Sequence, residues 1–165
     1  IDEDTALPYD GLTNLMKTSK EHPDAIISGI YFVKNANAML CINDEEGRLV
    51  VPDVAPNSGL IRNVRVVGLG CALIPMHIIY KIMEKFPDLP LFCHVGKGMW
   101  GDDEIKDMGE DTWFYNLVDL CGFEVIADTA VQCLHMELKT GKYTAHPAWS
   151  SAASPVLRRS RVGPA

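Results

Sequence analysis

Carboxylates and one imidazole are the side chains of this sequence whose types and spacing could do chemistry. Ile1-Asp2-Glu3-Asp4-Thr5 sets two carboxylates in Asp-x-Asp spacing, behind an apolar residue and ahead of a small hydroxyl. If Ile1 ends a strand, the period of two points Asp2 and Asp4 the same way. Like charges that close repel unless something positive sits between them, and a hard divalent cation is the usual answer. A solvated turn or an acidic approach to a helix is the plainer reading of the same residues. Glu110-Asp111 stands at the head of an amphipathic segment, where a carboxylate pair commonly serves as a capping and dipole device worth ~0.3–1 kcal/mol. His135 follows an extended segment, a place where imidazoles are structural as readily as they are ligands. Gly68-Leu69-Gly70 precedes further small residues and marks a close backbone approach. No Gly-x-Gly-x-x-Gly completes a phosphate loop, so close packing is the favoured reading of Gly70.

The elements that must position these residues alternate between the two periodicities. Asp10 can cap a helix in which Leu12, Leu15, Met16 and Ser19 form one stripe, ending at His22-Pro23. Residues 25–33 are β-branched and aromatic, as in a buried strand. Residues 39–42 and 49–51 read as a hairpin closed by Gly47, and residues 64–67 as a further strand. Pro75 starts a helix with Ile78, Ile79, Ile82, Met83 and Phe86 on its apolar face, and Pro87 ends it. Residues 89–95 read as a short strand, and residues 96–109 as a polar, glycine-rich loop. From Glu110 a helix carries Trp113, Phe114, Leu117, Val118 and Cys121 on one face, with Gly122 placed to end it. Residues 123–127 read as a strand, Asp128-Thr129 as a turn, and residues 131–135 as extended. This alternation predicts an α/β layer fold. The stretch from Ser150 onward loses periodicity and turns basic, so residues 148–165 read as a linker or tail.

Size and composition narrow the function classes. The 165 residues suffice for one domain with a real core. A formal net charge of −7 argues against a nucleic-acid-binding surface. No apolar run approaches the ~18 residues of a membrane span. The five cysteines are scattered, without a Cys-x-x-Cys pair. That pattern points to a reducing, cytoplasmic compartment rather than to a zinc framework or disulfide scaffold.

In their order, these pieces resemble a glycosyltransferase of the GT-A fold, and are most similar to the inverting family-2 enzymes. IDEDTALPYDGL resembles that family's Asp-x-Asp strand end and the helix behind it. HPDAIISGIYF resembles the next helix-to-strand passage, and VVGLGCALIP the glycine-containing segment on the acceptor side of the cleft. GEDTWFYNLVDLCGFEVIADTAVQCLHM resembles the Glu-Asp helix, the following strand and the later histidine. The resemblance covers residues 1–147. It implies a mixed sheet flanked by helices, and a sugar transferred from a nucleotide-diphosphate sugar to a hydroxyl of a saccharide, lipid or protein acceptor.

By that resemblance Asp4 binds the metal directly, and Asp2 assists through a metal-bound water or the donor ribose. His135 adds a direct or outer contact, which favours Mn²⁺ over Mg²⁺. Asp111 is the base that deprotonates the acceptor, with Glu110 positioning the acceptor or the loop. At a helix start, the dipole is expected to hold Asp111 ionised and make it less basic. Gly70 and Trp100 complete the expected donor side, Trp100 as a sugar-stacking platform in a loop able to close as a lid. The family's Rossmann-like nucleotide-binding half precedes Asp-x-Asp and has no counterpart in this sequence. The domain is therefore expected to be incomplete, preceded by a βαβ pattern of roughly 80–100 residues.

Two other readings compete. IDEDT also approaches the opening signature of haloacid-dehalogenase-like phosphohydrolases, with Asp2 as covalent nucleophile and Asp4 as acid/base. Ser28 would then close the second motif, and Gly101-Asp102 with Asp107 would supply a Mg²⁺ site. That scheme leaves Glu110, Asp111 and His135 idle. The third reading is a fragment that keeps fold and partner contacts without catalysis.

Overall fold

The structure, a computed structural model, describes residues 1–31, 42–44, 57–62, 64–96, 108–137 and 140–144. It is a mixed α/β fold built around two long, buried strands. These are β2 (Ala25–Ile30) and β7 (Glu124–Gln132), which run parallel from Ala25↔Glu124 onward. β4 (Leu60–Ile61) adds antiparallel to β7, and β6 (Ala72–Leu73) adds antiparallel to β2, giving the order β4-β7-β2-β6. A second, three-stranded antiparallel sheet has the order β1-β8-β9, formed by Thr5–Ala6, Leu134–Glu137 and Lys142–Thr144. The remaining pair joins β3 (Ile42–Asp44) antiparallel to β5 (Val64–Val67).

Helices cover both faces of the central sheet, which explains why β2 reads as a continuous apolar run rather than an alternating one. Odd-numbered residues Ala25, Ile27 and Tyr31 face the cluster containing Leu15 of α1 (Gly11–Glu21). Even-numbered Ile26 and Ile30 face the cluster formed with α2 (Met76–Lys85) and α3 (Glu110–Leu120). Ile78 and Ile82 come from α2, and Phe114, Tyr115, Leu117 and Val118 from α3. Each such large side chain contributes roughly 1.5–3 kcal/mol by leaving water.

Several expectations are corrected. Ile1 does not end a strand: residues 1–4 form a turn, closed by the Thr5 N–H donating to the Asp2 carbonyl at 3.1 Å, and β1 follows the acidic pair. On α1 only Gly11, Leu15 and Thr18 are buried, while Leu12 and Met16 lie on the exposed side. Residues 89–94 are bends and irregular chain rather than a strand, with Val95 bridging Met108. Pro90 lacks the N–H a ladder needs, and its carbonyl instead accepts from Trp113 Nε1 at 2.8 Å. Ile42–Asp44 pairs with Val64–Val67; the other arm of the expected hairpin and the tail lie outside the described residues.

The expected turn at Asp128-Thr129 is a bulge inside β7. Gly29 pairs with Asp128 but Ile30 pairs with Gln132, so residues 129–131 leave the register. Local hydrogen bonds hold them there. Buried Asp128 accepts from Thr18 Oγ1 at 2.6 Å and from the Ala130 N–H at 2.9 Å. The Thr129 hydroxyl donates to the Gly59 carbonyl at 2.7 Å. Opposite the bulge, a Cβ on Gly29 would stand 2.8 Å from Val131 Cγ1, 2.9 Å from Cys71 Sγ and 3.0 Å from the Val131 carbonyl oxygen. The backbone oxygen cannot swing aside. Gly29→Ala should therefore lower stability by ~1–3 kcal/mol through overpacking, read from urea unfolding midpoints; an unchanged midpoint would refute this account of the bulge.

Candidate functional site

The acidic turn, the head of α3 and strand β8 meet beyond the carboxyl ends of the parallel strands, where open α/β sheets place ligands. A short 3₁₀ turn, Leu69–Cys71, organises the meeting. The Gly70 carbonyl accepts from the Asp2 N–H at 3.1 Å, and the Gly70 N–H donates to Tyr31 Oη at 2.9 Å. One residue earlier, the Leu69 N–H donates to Asp111 Oδ2 at 3.2 Å. Two consecutive amides thus hold a strand-end tyrosine and a helix-start carboxylate, while the intervening carbonyl anchors the acidic turn. A Cβ on Gly70 would meet Thr5 Oγ1 at 2.7 Å and Tyr31 Oη at 2.8 Å. Close approach is what the glycine is for, as the sequence suggests.

Asp4 and His135 form the second half of the site. β1 and β8 pair with Thr5 opposite His135, and the Met136 N–H donates to the Asp4 carbonyl at 2.7 Å. This register brings His135 Nε2 to 3.5 Å from Asp4 Oδ2, with both side chains mostly covered (15% and 16% exposed). The Tyr31 ring meets the imidazole edge-on, centroids 5.1 Å apart. Asp4 and His135 thus offer one oxygen and one nitrogen at a common point. Asp2 is exposed, with its backbone N–H on the Gly70 carbonyl. Among the described residues, no group of three or more His, Cys, Asp or Glu side chains is arranged to hold a metal ion.

Asp111 is half-buried, and its carboxyl pKa is raised above the ordinary carboxylate value. Burial is the main cause; the Leu69 N–H opposes it, and the neighbouring charges of Glu110 and Asp2 add to it. The expectation that Asp111 would be less basic is corrected: its pKa is raised, and burial is the largest cause. One turn further along α3, Tyr115 is fully buried, its hydroxyl has no hydrogen-bond partner among the described residues, and its pKa is pushed well above the usual phenol range. Burial is again the first cause, followed by the charge of Asp111.

Of the residues the sequence singles out, Asp2, Gly70, Glu110 and Asp111 gather at the Leu69–Cys71 turn, Asp4 pairs with His135, Tyr31 touches both groups, and Trp100 lies outside the described residues. Tyr31 was missed, although its place at the end of the apolar run 25–31 marks it as the tip of a strand. A shallow depression of about 310 Å³ lies at the opposite end of the parallel pair, lined by Glu21, His22, Asp24 and Glu124 among others. It touches none of these groups. Among the described residues, no helix is long and apolar enough to cross a membrane.

No family model matches the chain, and no curated protein matches it. Among solved structures it is similar to the crystal structure of A197 from STIV, with a TM-score of 0.54 and 15% sequence identity. The likeness covers 88% of this chain and 63% of that one, so this chain spans under two thirds of its neighbour's length. At that identity the likeness shows the shared fold alone.

Two outcomes are expected. Gly70→Ala should cost ~1–3 kcal/mol by driving Thr5 and Tyr31 apart, seen as a lower urea midpoint. For Asp111, a folded pKa above the unfolded one means a stabilising contribution that is present below the unfolded pKa and lost as pH rises through the folded value. Asp111→Asn, which cannot ionise, should therefore gain stability relative to the parent at pH 7 and show no gain below about pH 3, under the ordinary carboxylate range. Equal urea midpoints at pH 7 would contradict the raised pKa.

Proposed function

We propose that this chain is the metal- and acceptor-side part of a glycosyltransferase that uses a nucleotide-diphosphate sugar. The observation that carries this reading is that the Leu69–Cys71 turn holds Asp2 and Asp111 and, through Tyr31, adjoins the Asp4–His135 pair. In such a transfer a diphosphate leaves with negative charge building on oxygen, while an acceptor hydroxyl loses its proton on the opposite face of the sugar. The two halves of the site suit the two tasks.

Asp4 and His135 fit a divalent cation as an oxygen and a nitrogen donor, and they leave most of its coordination to others. That suits an ion delivered with a diphosphate, whose oxygens and waters would complete the shell. When bound, Mn²⁺ or Mg²⁺ would supply Lewis-acid stabilisation of the leaving diphosphate. The imidazole favours Mn²⁺. Asp2, exposed on the same turn, would assist through a metal-bound water or the donor ribose.

Asp111 is suited to act as the general base. Its raised pKa makes it a stronger base than an ordinary carboxylate. The Leu69 N–H fixes one carboxylate oxygen, leaving the other for an acceptor hydroxyl. Glu110, exposed beside it at the head of α3, is placed to orient the acceptor.

The phosphohydrolase reading has less support. Ser28, which it needs facing the nucleophile, is fully buried, and its hydroxyl is engaged with the Gly29 and Cys71 carbonyls at 2.8 and 3.0 Å. The expected metal motif at residues 101–107 lies outside the described residues.

In calorimetry with Mn²⁺ and a panel of nucleoside diphosphates, Asp4→Ala and His135→Ala should each weaken metal binding at least about tenfold, or 1.4 kcal/mol. Unchanged Mn²⁺ affinity in both variants would remove the metal assignment. In a protein competent for transfer, Asp111→Asn should lower turnover by ~10²–10⁴-fold with donor affinity nearly intact. Hydrolysis of generic phosphomonoesters without any nucleotide sugar would instead favour the phosphohydrolase.

A further inference from the structure

Tyr31 stands between the two halves of the site, and the proposed transfer gives it no task. It directly follows β2 and shares a core cluster with Ala25 and Ile27 of that strand and with Leu15 of α1. Only 5% of it is exposed. A buried phenol needs a partner for its hydroxyl. This one finds the Gly70 N–H, which donates to Oη at 2.9 Å. Gly70 is itself buried, so both ends of the contact are out of water. The ring meets His135 edge-on, with centroids 5.1 Å apart and planes at 72°. At that separation aromatic rings attract in this arrangement.

We propose that Tyr31 is a positioning residue that registers the imidazole of His135 against the Leu69–Cys71 turn. The hydroxyl holds the tyrosine ring in place, and the ring holds the plane of the imidazole. The same turn fixes Asp111 through the Leu69 N–H and the Asp2 amide through the Gly70 carbonyl. The His135 nitrogen that meets Asp4 at 3.5 Å is thereby set relative to Asp111, although strand β8 and helix α3 share no hydrogen bond at this point. A phenylalanine would offer the same edge to His135 and nothing to Gly70. The Gly70 amide would then lose its partner in a buried place, and the ring would lose its tether.

The role in transfer rests on the glycosyltransferase reading. A leaving diphosphate and an attacking hydroxyl lie on opposite faces of one sugar, so the cation pair and the base must keep a fixed separation. Misplacement by about 1 Å can cost ~10²-fold in rate. The contacts of Tyr31 do not depend on that reading. Groups that orient a metal ligand without touching the metal typically change affinity by about 10–100-fold when removed.

The test compares the parent with Tyr31→Phe and with Ile82→Val, a core substitution on α2 that lowers stability away from the site. Mn²⁺ affinity is measured by calorimetry. The packing of the residue-31 ring on the His135 ring is read from nuclear Overhauser contacts in the metal-free proteins at one pH. Tyr31→Phe should weaken Mn²⁺ binding about tenfold and weaken the contacts between the two rings. Ile82→Val should change neither. A Tyr31 that only stabilises the core would lower the melting temperature and leave both readouts in place. The proposal is overturned if the ring contacts of Tyr31→Phe match the parent's, or if Ile82→Val weakens them equally. It is also overturned if Mn²⁺ affinity is unchanged in a parent that binds the ion. If the parent binds no Mn²⁺, the metal assignment fails, and the ring contacts alone decide on Tyr31.

Discussion

Two backbone amides and one carbonyl at Leu69–Gly70 hold this site together. The Leu69 N–H fixes Asp111, the Gly70 N–H fixes Tyr31, and the Gly70 carbonyl fixes the amide of Asp2. Three segments far apart in sequence meet through groups that every residue possesses. The turn can do this because it is tight and because position 70 has no side chain to hold Thr5 and Tyr31 away. A chain segment with ordinary β geometry would have directed these amides into a ladder.

The same turn explains how like charges are tolerated. Asp2, Glu110 and Asp111 are close enough that the first two raise the pKa of the third. Solvent exposure of Asp2 and Glu110 and the Leu69 N–H on Asp111 moderate their repulsion, and none of the three is fully buried. Such an arrangement holds Asp111 in a less favourable charged state than a surface carboxylate would have. Functional sites characteristically carry this kind of local cost, and it is offset by packing elsewhere. Here that packing is the two-sided core of Ile26, Ile27, Ile30, Ile126 and the aromatic pair Phe114 and Tyr115.

The bulge in β7 links core to site. Without it, the parallel register set by Gly29↔Asp128 would continue, and β8 would emerge displaced along the sheet. Residues 129–131 absorb the difference, pinned by Asp128 and Thr129, and β8 then pairs with β1 so that His135 faces Asp4. The placement of the imidazole is thus set several residues upstream, by a buried carboxylate whose own hydrogen bonds go to Thr18 and Ala130.

Much of this was legible in the sequence. The helix over 110–120 and its end at Gly122, whose φ is +77°, follow from periodicity and from the one residue type that adopts that backbone freely. The strand at Ala25–Ile30 follows from its β-branched composition. The acidic pair, Glu110-Asp111 and His135 were each identifiable as chemistry-bearing types, because side-chain chemistry is a local property. The tertiary structure alone decided which of them meet: whether Asp4 faces His135 depends on register and on a bulge, both non-local. It also decided that Leu12 and Met16 face outward, since helical spacing marks a stripe without saying what covers it. Above all, it set the protonation tendency of Asp111. The sequence offers only a carboxylate at a helix start, whereas its pKa is raised chiefly by burial, which no local pattern encodes.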